Sequence, residues 1–164
     1  MDLILPDEAA TQRAGASLAR TLPDITRHNL LVGLTGELGS GKTTLARALL
    51  RALGITGTVR SPTFTLVEPY ETERGTVHHL DLYRLEPSPA ALEGLGFRDL
   101  RGLPGLVLVE WPERAGEGLG PQDLHAGLEI AGQGRRIRLD AGSAVGRAWL
   151  DSSRPLLEEY CVSR

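Results

Sequence analysis

Lysine and cysteine are almost absent from this chain. Of its 18 basic residues only Lys42 is a lysine, and all the others are arginine. Cys161 is the single cysteine, so the chain can form no internal disulfide, which fits a reducing compartment. The net charge is −3 and no basic run exceeds two residues, so the sequence does not indicate binding of free nucleic acid.

Long hydrophobic runs are missing as well. No segment approaches the length of a membrane span, and the amino-terminal "MDLILPDEAA" has no cationic start and too short an apolar stretch for a signal peptide. We therefore expect a cytoplasmic protein that does not engage a membrane. A length of 164 residues predicts one domain, spanning residues 1–164, with room for a substantial core.

The lone lysine lies in a phosphate-binding motif. "GELGSGKTT" (Gly36–Thr44) matches G-x-x-x-x-G-K-[ST], whose glycines let successive backbone N–H groups turn toward a phosphate. Lys42 is a compact charge that fits over phosphates where the wider guanidinium of arginine would not, and Thr43 offers a hydroxyl to Mg²⁺. An apolar run precedes the loop and leucines at helical spacing follow it, which is the strand–loop–helix context that the motif requires.

The remaining pattern predicts an α/β fold: a single P-loop NTPase-type domain with a mixed, mostly parallel sheet, flanking helices and two β-hairpins. The hairpins are predicted at residues 58–85 and 126–142, with turns at residues 73–75 and 132–134. Helices are predicted at residues 7–22, 43–54, 87–96 and 143–160, and further strands at 3–6, 29–36 and 103–113.

Glu110 ends an apolar strand, Gly105–Glu110, and is the first candidate for a second acid at the magnesium site. A phosphate loop needs such an acid, usually at the end of a neighbouring buried strand. A charge at that position also needs a partner. The alternative is a glutamate that merely reaches solvent at the edge of the sheet.

Asp81 is the second candidate acid. Alternation puts Leu80 and Leu82 on one face of a strand and His79 and Asp81 on the other. Asp81 could orient an attacking water or support the metal ligands, or the strand could be an ordinary half-solvated one. His78 and His79 by themselves indicate no metal site.

Two further features are open to more than one interpretation. "SPTFT" (Ser61–Thr65) could be a nucleotide-sensing switch or a plain transition from loop to strand, with Pro62 keeping Ser61 out of the helical region. Trp111 could stack on a base, contact a partner protein or pack in the core.

Four motifs together resemble one family. "GELGSGKTT", "SPTFTLVEPY", "HLDLYRL" and "VEWPE" are similar, in this order and at this spacing, to motifs of the TsaE (YjeE) family. The resemblance is close from Asp7 to Glu113 and only general beyond that point. Members of this family are bacterial P-loop ATPases needed to make threonylcarbamoyladenosine in transfer RNA. The resemblance therefore implies ATP and Mg²⁺ as cofactors.

The resemblance also implies roles for single residues. Lys42, Asp81 and Glu110 are the expected catalytic residues, and Thr43 and Glu110 are the expected magnesium ligands. The residues expected to bind the nucleotide are Thr11 (near the adenine), Leu38, Gly39, Ser40, Gly41, Lys42, Thr43, Thr44 and Trp111.

Partners follow from the same resemblance. Members of the family are cytosolic and work with the proteins TsaD and TsaB, which carry the threonylcarbamoyl transfer. The resemblance thus implies that tRNA is reached indirectly, through the complex. ATP hydrolysis is expected to reset that complex between rounds rather than to form the product bond.

Other nucleotide-binding classes compete with this interpretation. A GTPase is disfavoured because guanine specificity uses an N-K-x-D or T-K-x-D motif, and Lys42 is the only lysine. A small-molecule kinase of the P-loop class is the main alternative. Such a kinase inserts a helical segment where a hairpin is predicted here, although Arg135 and Arg136 beside a glycine turn could imitate its lid. A non-catalytic binding module is disfavoured by Glu110 and Asp81.

The positions of the arginines in the sequence predict that the isolated chain hydrolyses ATP only weakly. Strong phosphoryl-transfer catalysts place a cation on the developing charge, and Lys42 is committed to the loop. Arg60 and Arg84 are the candidates beside the phosphate and acidic motifs, but alternation points Arg84 away from Asp81. We expect the cation, or the ordering of the hairpin that delivers it, to depend on a partner. Aromatic residues are enriched in interface cores, and the expected anchors are Trp111, Phe64 and Tyr70.

Overall fold

A computed structural model describes residues 1–59, 62, 64–86 and 88–162. In this part of the chain, seven strands form one sheet and helices cover both of its faces. The strands are β1 (Asp2–Leu5), β2 (Asn29–Thr35), β3 (Val67–Thr72), β4 (Gly75–Asp81), β5 (Gly105–Glu110), β6 (Leu124–Ala131) and β7 (Gly134–Ala141). The α-helices are α1 (Glu8–Arg20), α2 (Lys42–Ala52), α3 (Pro89–Gly94), α4 (Phe97–Gly102) and α5 (Ala144–Leu157), and 3₁₀ helices occupy Pro112–Leu119 and Glu158–Tyr160. None of the helices described is long and apolar enough to cross a membrane.

The sheet is mixed, with a parallel centre. Its strand order is β1-β7-β6-β2-β5-β4-β3, and the four neighbouring strands β6, β2, β5 and β4 run parallel. The antiparallel pairs lie at the two sides, where β3 joins β4, β7 joins β6 and β1 joins β7. The predicted α/β class with two hairpins is confirmed, and the hairpins supply the antiparallel borders of a parallel core.

The central strand β2 is buried on both faces. Leu30, Val32 and Leu34 pack into the layer formed with α1, α2 and α5. Leu31 packs into the opposite layer, with α3 and α4. A strand covered on both sides needs apolar residues at successive positions, which is why β2 and its neighbour β5 are continuous apolar runs.

Two helical segments were not predicted from the sequence: α4 and the 3₁₀ helix Pro112–Leu119. Gly96 precedes α4 as its N-cap with φ 71°, and Gly116 interrupts the 3₁₀ helix with φ 55°. Such short, glycine-bearing segments contain too few turns for their periodicity to be recognised. They fold because they cover the second apolar layer, in which Phe97 of α4 is buried.

The parallel centre brings distant residues to one edge of the sheet. Since β2, β5 and β4 are parallel, their carboxyl ends lie together, and the register places Glu110 beside both Leu34 and Asp81. Helix α2 begins at the same edge, with Lys42. Open α/β sheets bind their ligands at this edge, so this is where a site is expected.

Candidate functional site

A cleft of about 600 Å³ opens at the carboxyl edge of the central strands. Its walls come from the phosphate loop, the ends of β4 and β5, the first half of α1 and the β6–β7 hairpin. Every predicted site residue except Ser40 lines it: Thr11, Leu38, Gly39, Gly41, Lys42, Thr43, Thr44, Asp81, Glu110 and Trp111. Ser40 is buried within the loop itself.

The phosphate loop joins β2 to α2 through three glycines in the left-handed region: Gly36 (φ 138°), Gly39 (φ 79°) and Gly41 (φ 104°). These φ values strain residues that carry a Cβ. At Gly36 a Cβ would also lie 2.3 Å from the carbonyl oxygen of Leu128 on β6. Helix α2 begins directly after Gly41, which has no side chain to cap it, so the first N–H groups of the helix are suited to an anion.

Lys42 is buried at the start of α2, and its ammonium group lies inside the loop. Nζ donates hydrogen bonds to the carbonyl oxygens of Gly36 (2.7 Å) and Glu37 (2.9 Å), and it lies 4.0 Å from the centre of the Trp111 ring. Burial lowers the pKa of Lys42, against the opposing effect of nearby carboxylates, of which Glu110 is the strongest. A phosphate in the cleft would supply negative charge to this desolvated ammonium group.

Thr43 and Glu110 meet on the floor of the cleft. Thr43 Oγ1 lies 3.0 Å and 2.8 Å from the two carboxylate oxygens of Glu110, to which it donates. Glu110 is only 2% exposed, so the alternative of a glutamate reaching solvent is wrong. A hydroxyl and a carboxylate side by side are the hard oxygen ligands that Mg²⁺ prefers.

Asp81 ends β4 directly beside Glu110 in the sheet register. It is 4% exposed, and its carboxylate accepts a hydrogen bond from the backbone N–H of Tyr83 at 3.0 Å. Leu80, its neighbour in the strand, is buried in the opposite layer, as alternation predicts. Strand β4 is therefore not half-solvated at its carboxyl end, where an acid faces the cleft.

Trp111 follows Glu110 in a left-handed backbone conformation, with φ 60° and ψ 49°. A residue with a bulky side chain rarely adopts this conformation. Its backbone N–H donates to the carbonyl oxygen of Leu34 at 3.1 Å, and its ring centre lies 4.9 Å from that of Tyr83. The strained turn places the indole on the cleft wall, against Lys42, and the side chain also packs against the second apolar layer.

Thr11, Leu38 and Thr44 lie on the outer walls of the cleft. Thr11 is buried and donates its hydroxyl hydrogen to the carbonyl oxygen of Asp7 at 3.3 Å. Leu38 is at the tip of the phosphate loop and is 73% exposed. Their positions allow contact with a nucleotide, and that contact stays a prediction.

The sequence profile of one known family matches most of the chain. This family is described as "Threonylcarbamoyl adenosine biosynthesis protein TsaE", and the match covers residues 5–138. The chain belongs to the TsaE family. The matched residues contain all the residues that line the cleft, including Gln133 and Arg135 of the β6–β7 hairpin, and so extend beyond the motifs that ended at Glu113.

Individual TsaE relatives are similar over much of their length. The tRNA threonylcarbamoyladenosine biosynthesis protein TsaE of Haemophilus influenzae is 39% identical over 145 residues, which cover 87% of this chain and 90% of that protein. The protein of the same name from Synechocystis sp. is 43% identical over 116 residues, covering 70% and 71%. The crystal structure of YdiB from Bacillus subtilis has a TM-score of 0.76 at 25% identity and covers 94% of both chains.

The prediction that Arg84 points away from Asp81 is wrong. Arg84 lines the cleft together with Asp81, and its guanidinium lies 4.6 Å from the centre of the Phe64 ring. Alternation cannot be extended to this residue because β4 ends at Asp81 and Arg84 lies in the following turn. The cleft of this TsaE family member therefore has a cationic side chain on its β4 side.

His79 is a site residue that the sequence did not reveal. It is fully buried, and its Nε2 lies 2.8 Å from Glu110 Oε1. Because a carboxylate accepts hydrogen bonds, Nε2 carries the donated hydrogen. Alternation places His79 on the same face as Asp81, but only the pairing of β4 with β5, which sets Asp81 beside Glu110, brings Glu110 within reach of His79.

The "SPTFT" segment is partly outside the described residues. Ser61, Thr63 and the preceding Arg60 belong to the part that is not described, so the switch hypothesis stays a prediction. Of the predicted aromatic anchors, Phe64 is 84% exposed, whereas Tyr70 of β3 is partly buried against the first apolar layer.

Proposed function

We propose that this protein is a P-loop ATPase that uses ATP and Mg²⁺ in the formation of N6-threonylcarbamoyladenosine in tRNA. Two relatives are named as tRNA threonylcarbamoyladenosine biosynthesis proteins, which supports the biological role. The observation that carries the ATPase activity is the contact of the Thr43 hydroxyl with the Glu110 carboxylate, next to the buried Lys42.

The residues of the cleft fit a nucleotide with a divalent cation. A Cβ on Gly39 would meet no described atom within 4 Å, so the space in front of the loop can take a ligand. The described residues contain no group of three or more His, Cys, Asp or Glu side chains that could hold a metal ion by themselves. Magnesium at phosphate sites is commonly held by one or two protein oxygens together with phosphate oxygens and water, and Thr43 and Glu110 supply such oxygens.

Each residue has a defined task in this proposal. N–H groups of the loop and of the first turn of α2 bind phosphate oxygens, and Lys42 adds its charge to them. Thr43 and Glu110 hold the metal ion, which neutralises phosphate charge when it is bound. Asp81 orients the attacking water or supports the metal ligands from the neighbouring strand end. Trp111 and Tyr83 form an aromatic wall that limits access of bulk water.

The small-molecule kinase is the weaker candidate. Kinases of this class insert a helical substrate-binding segment after the phosphate helix. The described residues between α2 and β3, which are 53–59, 62 and 64–66, form no helix. Arg135, which could have imitated a kinase lid, instead donates hydrogen bonds to the phosphate loop.

The proposal includes partner proteins. We place the ATPase in the cytoplasm with TsaD and TsaB, where hydrolysis resets the complex between rounds and tRNA is met through the complex. Dependence of the ATPase activity on these partners stays part of the proposal, but not because the chain lacks a cation. Arg84 lines the cleft beside Asp81, so a cation is available within this chain, and the partner's part is to position it.

The experiment is phosphate release from ATP by the purified protein, with Mg²⁺ or EDTA, alone and with TsaD and TsaB. We expect slow, magnesium-dependent release alone and faster release with both partners. Lack of ATP binding at millimolar nucleotide would contradict the ATPase proposal. Equal single-turnover rates with and without partners, at saturating ATP, would remove the partner dependence and leave the ATPase. A phosphorylated small molecule as product would favour the kinase.

A further inference from the structure

Arg135 is attached to the phosphate loop by its guanidinium group. Its Nε donates to the carbonyl oxygen of Ser40 at 2.8 Å, and its Nη2 donates to that of Gly39 at 3.1 Å. Nη1 donates to the carbonyl oxygen of Gly134, one residue before it, at 2.7 Å. All three bonds go to backbone carbonyls, and two of them hold adjacent peptide groups of the loop.

The hairpin of β6 and β7 brings Arg135 to this position. Pairing of β6 with β2 reaches Gly127, beside Thr35, and the rest of β6 continues alongside the phosphate loop. The backbone of Arg135 is paired with β6 on one side and with Leu5 of β1 on the other. At Gly134 a Cβ would lie 2.0 Å from the carbonyl oxygen of Leu5, so the strands are closely packed at this point. The guanidinium therefore extends from backbone that is held on both sides.

Strand alternation separates Arg135 from the arginines that follow it. Ile137 and Leu139, two and four residues later, are buried in the layer of α1 and α2. Arg135 shares their face of the sheet and lies beyond the end of that layer, where the loop begins. Arg136 and Arg138 belong to the opposite face, where they are exposed and pair with Asp2 and Asp140.

These contacts act on a loop that contains three glycines with positive φ: Gly36, Gly39 and Gly41. Glycine has the greatest backbone freedom to lose, and Gly39 and Gly41 both need positive φ here. In a trans peptide the C=O and the following N–H point in opposite directions. A bond from Arg135 to the Ser40 carbonyl therefore directs the N–H of Gly41 away from the guanidinium and fixes its orientation.

We propose that Arg135 is a positioning residue that holds the phosphate loop in its anion-binding conformation. It strengthens binding of the phosphates in ground state and transition state alike, because it acts on the loop and not on the transferred phosphate. This inference rests on the proposed nucleotide function for its effect on affinity. Its effect on the loop itself is independent of that function.

The test compares Arg135→Ala and Arg135→Lys with Arg136→Ala. The last variant removes the same charge from the next residue of the same strand, but on the other face. Amide hydrogen exchange is measured on the nucleotide-free proteins, in peptides covering residues 36–44. We expect faster exchange of this segment in both Arg135 variants and wild-type exchange in Arg136→Ala. Unchanged loop exchange in Arg135→Ala overturns the proposal, whatever the protein does with nucleotide.

Nucleotide binding gives a second readout. We expect ADP affinity, measured by calorimetry without Mg²⁺, to fall about tenfold in Arg135→Ala, as for loss of a charge-assisted hydrogen bond. Arg135→Lys keeps the charge but loses the planar guanidinium with its several N–H donors, so its ADP affinity falls about threefold or more. The ADP affinity of Arg136→Ala stays within about twofold of wild type. Wild-type affinity in Arg135→Lys would mean that charge alone matters, and it overturns the positioning role.

Steady-state kinetics separate positioning from direct catalysis. A residue that improves ground state and transition state equally changes KM and leaves kcat unaltered. We expect Arg135→Ala to raise the KM for ATP about tenfold with kcat within about threefold of wild type. A large fall in kcat with unchanged affinity would make Arg135 a transition-state cation instead. If wild-type protein binds no nucleotide, the proposed function fails, and the hydrogen-exchange comparison still decides the role of Arg135 in the loop.

Discussion

The floor and the rim of the cleft are built in different ways. On the floor, Thr43 and His79 both hydrogen-bond to Glu110, and Lys42 is held by two carbonyls of the phosphate loop. Lys42, His79 and Glu110 are at most 4% exposed. The rim (Leu38 and Arg84, with Phe64 in contact with Arg84) lies on turns, and Leu38 and Phe64 are 73% and 84% exposed. A change on the floor leaves a buried polar group without its partner, whereas water can replace a lost contact on the rim. The predictions below test this contrast.

Lys42→Arg should have the largest effect, on nucleotide binding. The ammonium group is enclosed by two loop carbonyls and the Trp111 ring, and a planar guanidinium does not fit the same space. We expect ATP affinity to fall by about 4 kcal/mol, on the order of two charge-assisted hydrogen bonds. Calorimetry measures this affinity. The control is the opposite exchange, Arg51→Lys, at an exposed position of α2, which should leave ATP affinity unchanged. Affinity within a factor of about three of wild type would contradict the site assignment.

Glu110→Gln should impair turnover more than binding. The loop still binds the phosphates through its backbone, but the metal ion loses a charged ligand that matters most in the transition state. We expect kcat to fall about a hundredfold, or ~3 kcal/mol, with a much smaller change in ATP affinity. The matched control is Glu113→Gln, the same change at an exposed glutamate of the following 3₁₀ helix. Normal turnover at ordinary magnesium would move the role to Asp81.

His79→Phe should destabilise the fold. It removes the hydrogen-bond donor 2.8 Å from Glu110 and leaves a buried carboxylate with one partner fewer. We expect the free energy of unfolding to fall by about 2 kcal/mol, as for an unsatisfied buried group. Urea denaturation measures it, with His79→Gln, which keeps an N–H donor, expected to retain more stability. If both variants were as stable as wild type, the floor would not be held together by this bond.

Phe64→Ala should have the smallest effect on the isolated protein. The ring is exposed and contacts the guanidinium of Arg84, so we expect a change in unfolding free energy below about 0.5 kcal/mol. Nucleotide affinity should also be close to wild type. The proposed partner contact predicts instead that stimulation by TsaD and TsaB falls. A large loss of stability would show that Phe64 is not an exposed residue with few contacts. Full stimulation of ATP hydrolysis by TsaD and TsaB would show that it does not contact the partners.

The acids of the site show how far sequence reasoning reaches. Glu110 could be selected because an acid that ends a buried strand needs a partner, and the structure provides Thr43 and His79. The partners themselves could not be read from the sequence, because they depend on which strand lies next to β5. Asp81 and His79 were placed on one face by alternation, but the pairing with Glu110 requires the sheet order.

The arginines show where such reasoning fails. Arg84 was assigned to the wrong side because alternation holds only within a strand, and β4 ends at Asp81. The sequence distinguishes Arg135 only by its place beside a glycine turn. Its contact with the loop joins residues 95 positions apart, through a hairpin whose neighbour in the sheet is not adjacent in the chain.

The sequence by itself determined the features that a short stretch of chain controls. The glycines of the phosphate loop, the apolar runs of β2 and β5 and the hairpin turns at residues 73–74 and 132–133 follow from allowed φ values and from periodicity. Only the tertiary structure decided which side chains meet. Thr43 finds Glu110, and Arg135 finds Ser40, because the parallel order of the central strands and the length of β6 bring them to the same edge. Contacts between such distant residues depend on the arrangement of the whole sheet, which no local pattern specifies.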